Sequence, residues 1–145
     1  MTEGSDNKFR FSWVLQIVVA AILGQTLFFK FSGAEESRAL FEVFDADPWG
    51  RIASGAAEAV AVVLLLIPGT AAFGAIFSLG VIVPAIVLHL TTLGVSIDPE
   101  ALGDPRLEPL AGPSMFVMAM IVLLGSLGVL LIRRGQVAAL LGRNR

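Results

Sequence analysis

The chain has 145 residues and a formal charge of −2; 56% of it is hydrophobic, 15% is charged, and the mean hydropathy is +0.84. A soluble domain of this length carries more charge, and the apolar residues fall into long blocks, so the composition excludes a water-soluble fold in favour of an integral membrane protein. Cysteine is absent and His89 is the single histidine, which excludes disulfides, thiolate-held clusters, covalent c-type haem and paired imidazole ligation within one chain, while the lack of a basic stripe gives no reason to expect nucleic acid.

A membrane helix needs roughly 20 mostly apolar residues, and the expectation is an all-α, four-helix bundle with spans at about 11–29, 50–67, 70–93 and 115–132. Residues 1–10 form an N-terminal tail in which Lys8 and Arg10 precede the first apolar run. That run continues to Phe29, longer than the apolar region of a signal peptide, and QTLFFKF is a poor cleavage context. A retained first span is expected.

The connection after it is acidic, with Glu35, Glu36, Glu42, Asp45 and Asp47. Within SRALFEVF, Leu40, Phe41 and Phe44 recur at helical spacing, which predicts a short amphipathic helix on the membrane or capping the bundle. Asp47-Pro48-Trp49-Gly50 turns the chain back, with Trp49 suited to the interfacial belt. In the second span Ala53, Ala57 and Ala61 recur at every fourth position, a spacing that lets helices approach closely. Ala71 and Ala75 begin the third span in the same way. Pro68-Gly69 gives a tight reversal between these two spans. Pro84 frees the carbonyl of Gly80 in the third, so a kink is expected there.

The second long connection, SIDPEALGDPRLEPLAGP, reads as ordered coil or one helical turn. After the fourth span come Arg133, Arg134, Arg143 and Arg145; residues 133–145 read as a basic tail in which GQVAALLGRNR forms a short interfacial helix. Basic groups at both ends and acidic loops between the spans predict that both termini are cytoplasmic and the loops external.

Polar residues inside the spans are the candidate site. Glu58 lies nine residues beyond Trp49, roughly 13 Å along a helix. A bare carboxylate there would cost several kcal/mol. Under the expected topology Gln25, Lys30, Arg51 and His89 reach a similar depth, and Thr26 shares a face with Lys30. Arg51 precedes Glu58 by seven residues, on nearly the same face but about two turns away, long for direct contact. Gln16, nearer the cytoplasmic side, is expected to find a neighbouring helix.

Three roles are open to such a cluster: fixing helix register, holding a small lipophilic molecule such as a quinone head group, or meeting another subunit. Met115, Met118 and Met120 read as fourth-helix packing.

GQTLFFKFSG closing the first span, PWGRIASGAAEAVAVVLLLIP through the second and HLTTLG closing the third resemble the DoxX-like family of small bacterial membrane proteins, over roughly residues 14 to 132. The resemblance implies a four-helix membrane bundle with Lys30, Arg51, Glu58 and His89 at its polar positions. It also implies a link to respiratory or sulfur redox systems. The expectation is an accessory or structural subunit of a membrane-bound respiratory or redox complex, partnered by the lipid bilayer and by other subunits or further copies of itself. It carries no intrinsic cofactor. The alternative is a quinone-linked oxidoreductase subunit in which Glu58 and His89 handle protons. A transporter is the weakest class, because one short bundle shows no inverted repeat.

Overall fold

The computed structural model describes residues 3–142. Among them, four helices are long and apolar enough to cross a membrane, and they pack side by side as one all-α bundle. Without water in the hydrocarbon, backbone groups must be satisfied within the segment, which is why such apolar runs become helices.

The first helix, α1, runs Glu3–Ser32, longer than the expected span because its polar start is helical too. Glu3 and Asp6 lie in its first turn and Lys30 in its last, each complementing the helix dipole. Gly33 ends it with φ +69°, a left-handed conformation that glycine adopts without a Cβ penalty. The predicted amphipathic helix is present as α2, Glu35–Glu42. The second membrane helix, α3, covers Trp49–Leu66, and a single 3₁₀ turn, Pro68–Thr70, reverses the chain. The third, α4, spans Ala71–Leu88 with Pro84 inside it and continues as a π turn, His89–Leu93. The second long loop holds the short α5, Pro99–Leu102, and a 3₁₀ stretch, Pro105–Leu110. The fourth membrane helix, α6, is Ser114–Ile132, followed by α7, Arg134–Leu140.

Around the bundle the order is α1, α3, α4, α6, with α6 closing against α1. The start of α1, α7 and the Pro68 turn lie at one end, here the terminal end; α2 and the second long connection lie at the other, the loop end.

Ala71 and Ala75 are fully buried in α4, as the sequence leads one to expect, but the small residues of α3 differ from that expectation. Ala53 is exposed and Ala57 half-buried; the inward stripe of α3 is Arg51, Gly55, Glu58, Ala61 and Leu65. The four-residue alanine stripe drifts off the core-facing side, and only Ala61 belongs to both. The closest approach is at Gly74, where a Cβ would stand 2.6 Å from the Leu65 backbone nitrogen. Gly125 and Gly128 instead make room on α6 for side chains of α1: a Cβ there would stand 2.7 Å from Val19 Cγ2 and from Leu15 Cδ1. Lipid is as apolar as leucine, so close packing of both kinds, more than exclusion of water, holds such helices together.

Polar side chains fasten the terminal end. Gln16 donates to the Leu65 carbonyl at 2.6 Å and accepts from Ser12 at 2.8 Å, so it does find the neighbouring helix. Gln136 of α7 donates to the Pro68 carbonyl at 2.6 Å and accepts from the Ala72 amide at 3.0 Å, docking α7 on the turn. Arg133, the first residue of the basic tail, is buried, donates to Ser12 at 3.0 Å and sits 4.5 Å from the centre of the Phe9 ring. Arg143 and Arg145 lie outside the described residues.

Candidate functional site: a polar-tipped cavity at the loop end

At the loop end the four membrane helices separate around a cavity of about 300 Å³. Its walls are almost wholly apolar: Ile22 and Leu23 from α1, Ile82 and Ala85 from α4, Met118 and Val122 from α6. The stripe Leu40, Phe41 and Phe44 lies across its loop end, so the amphipathic helix caps the bundle by turning its apolar side onto the cavity. Met115 and Met118, read from sequence as packing, also line it; flexible thioethers suit a wall that must fit a variable surface.

One polar wall comes from α1 and α3. Glu58 is 3% exposed. Lys30 reaches from the end of α1 to place its Nζ 2.6 Å from Glu58 Oε1, and Thr26, one turn earlier, donates to Oε2 at 3.2 Å. Thr26, Lys30 and Glu58 all border the cavity. Lys30 Nζ also stands 5.5 Å from the centre of the Phe41 ring, which couples the ion pair to the roof. Burying both charges carries a desolvation cost that the short ion pair offsets only while both partners remain.

Arg51 supports this wall without touching Glu58. It donates to the Lys30 carbonyl at the end of α1 and to Asp47 Oδ1 at 2.6 Å, tying the loop into the helix–helix contact. The sequence expectation that two turns are too far for a direct Arg51–Glu58 contact agrees with this geometry.

The second polar wall is His89, on the opposite side of the bundle. It is 4% exposed, borders the cavity and packs edge-on against Phe116 with centroids 5.7 Å apart. Its Nδ1 lies 2.9 Å from the Gly94 carbonyl. A carbonyl only accepts, so Nδ1 carries the proton, and the tautomer that this contact selects offers Nε2 as an acceptor. The π turn creates this contact: Gly94, at φ +80° and ψ 162°, brings its carbonyl back to the ring that opens the turn.

Gln25 does not join the cluster. It is exposed on the outer side of α1, makes no side-chain hydrogen bond among the described residues and does not border the cavity. One residue is 100° of helix, so when Thr26 and Lys30 face Glu58, Gln25 must point away. Thr26 occupies the place expected for Gln25, and its i, i+4 relation to Lys30 is the signal that identifies it.

The roof is fastened from outside the membrane. Arg106 in the second loop donates to Glu42 of α2 and to Asp104 Oδ2 at 2.7 Å. The Arg106 hydrogen bonds hold the Asp104 carboxyl below its ordinary range and push the guanidinium itself upward. An antiparallel bridge between Ile97 and Gly112, 2.9 Å in both directions, closes this loop at its base.

The chain is thus a multi-pass membrane protein whose bundle parts around an apolar cavity bordered by two separate polar walls. No family model, no curated protein and no solved structure matches it.

Proposed function

We propose that this chain is an accessory subunit of a membrane-bound respiratory or redox complex, and that its cavity receives the head group of a lipophilic molecule of the quinone class. The observation that carries this reading is the pairing of apolar walls with two opposed polar sites, Lys30–Glu58–Thr26 and His89, around about 300 Å³. That volume is at the small end for ligand sites, so the ring and the start of a tail would enter and the rest of the tail would remain in lipid. A flat ring with an oxygen on each side could accept a hydrogen bond from Lys30 and, when reduced, donate one to His89 Nε2. Glu58 and His89 are then the groups placed to exchange protons with its oxygens. No redox centre comes from these side chains, so electrons must pass through another subunit. The DoxX-like resemblance supports the same assignment, as does the cytoplasmic placement that the basic residues of both ends lead one to expect.

A second reading has its own support: every strong acceptor on Glu58 already has an internal donor. A purely structural subunit would use the same ion pair to fix the register of α1 against α3. The Glu58→Gln variant separates the two. Normal assembly with loss of bound lipophile and of quinone-coupled turnover supports the ligand site. Failed assembly, or unchanged turnover in an assembled complex, supports the structural role.

A further inference from the structure

Gln25, which the cavity leaves out, poses a separate problem. The neighbouring Thr26 touches Glu58, so Gln25 lies at the depth of the buried ion pair, well inside the hydrocarbon. Its carboxamide is nevertheless exposed on the outside of the bundle and has no internal partner among the described residues. Between their end turns, α3, α4 and α6 present only apolar residues outward among those described, including Val60 and Val63, Val83 and Val87, and Leu124 and Leu131. The α1 face is therefore singled out.

The residues around Gln25 follow a recognisable spacing. Val14, Val18, Ala21, Gln25, Phe28 and Ser32 are all exposed and alternate intervals of four and three. That is the heptad seam along which two helices wind around each other. Ala21, one turn from Gln25, leaves room for close approach. Along the loop-end part of the seam, Gly24, Leu27, Phe28, Phe31 and Ser32 line a shallow groove that offers a place for a partner's large side chain.

We infer that α1 is a homodimer interface in which Gln25 of one copy bonds Gln25 of the other. A carboxamide holds both a donor and an acceptor, so it is its own complement: two of them meeting on a two-fold axis satisfy each other. Copies inserted with the same topology bring their α1 helices together in parallel. In a parallel pair a polar residue within an apolar seam fixes the register; Ser32, the other polar residue of the seam, ends α1 and donates to the Phe29 carbonyl. The cavity lies on the far side of α1 from this seam, so dimerisation leaves it open to ligand and does not depend on what it binds.

The absence of cysteine makes the test direct. Purified protein in liposomes receives a single cysteine at Ala21→Cys or Phe28→Cys on the seam, or at Val60→Cys or Leu124→Cys on other faces, and is oxidised at increasing lipid dilution. Seam cysteines should cross-link to a dimer, and the other two should not. Adding Gln25→Leu to either seam variant should lower the dimer yield by about threefold or more at matched dilution. Photobleaching of the labelled cysteine-free chain should count two copies per spot. Equal cross-linking from all faces, a monomer at every dilution, or a dimer indifferent to Gln25→Leu would overturn the proposal. Because Gln25 is exposed, the substitution leaves the fold intact, and the circular dichroism spectrum checks this.

Discussion

The two halves of the bundle both bury polar side chains, but they surround them differently. At the terminal end Gln16, Ser12 and Arg133 bond to one another and to backbone, and glycines bring the helices so close that an added Cβ at Gly74, Gly125 or Gly128 would stand within 2.7 Å of a neighbouring atom. At the loop end an ion pair, Lys30–Glu58, is buried, and the helices part around a cavity. Small residues meeting backbone make a joint; large residues meeting a void, with charges at its edge, make a place for a ligand. The terminal half is the clamp from which the loop half opens.

The largest test of this contrast is Lys30. Replacing it with leucine leaves Glu58 buried without its cation, and stability should fall by about 3–5 kcal/mol. The double variant Lys30→Leu with Glu58→Leu should recover most of that loss in a denaturation series in detergent. Next in size is Arg51→Ala, which removes bonds to the Lys30 carbonyl and to Asp47; a loss of about 2–3 kcal/mol is expected, together with faster hydrogen exchange in the α2–α3 turn. Gly74→Ala tests the clamp. The Cβ would meet Leu65 backbone, which cannot rotate aside, so about 1–3 kcal/mol should be lost, whereas Gly80→Ala, with open space around it, should stabilise by a few tenths to about 1 kcal/mol.

A smaller effect separates the halves from within. Ser78 and Ser126 are wholly buried between the clamp and the cavity, and their hydroxyls have no partner among the described residues. Removing an unpaired buried hydroxyl also removes its desolvation cost, so Ser126→Ala should be neutral or stabilising by up to about 1 kcal/mol. The smallest effect is at the roof. The Asp104 pKa is lowered on folding, so its contribution is complete above the ordinary carboxylate value and is lost as pH falls through the lowered one. Loop amide exchange should therefore stay slow to below about pH 4 and rise in more acid solution. In Arg106→Ala it should already be faster at neutral pH.

Much of the fold is written in the sequence because the hydrocarbon demands long apolar helices, and the bounds of all four follow from that demand to within a turn, apart from the polar start of α1. The amphipathic α2 is legible from Leu40, Phe41 and Phe44 for the same reason: a short stripe of large residues needs something apolar to cover. Facing is harder to read. Depth put Gln25 and Lys30 in one group, but depth says nothing of rotation, and the rotation of α1 chose Thr26 instead. The alanine stripe of α3 misled in the same way, because small residues are tolerated against lipid as well as between helices. The role of Gly94 in aiming His89 depends on a π turn, for which the local sequence gives no cue.

The central claim, that the loop-end cavity holds a lipophile, is tested most directly by filling it. Ala85 borders the cavity and belongs to neither polar wall, so Ala85→Phe occupies the space and leaves Lys30, Glu58 and His89 in place. Wild-type protein and Ala85→Phe would be extracted from native membranes in mild detergent, and their bound small molecules measured by mass spectrometry. The account predicts a stoichiometric lipophile with the wild type and its loss in Ala85→Phe, with the same subunits co-purifying in both. A wild type that carries no lipophile, or one that Ala85→Phe retains undiminished, would contradict it.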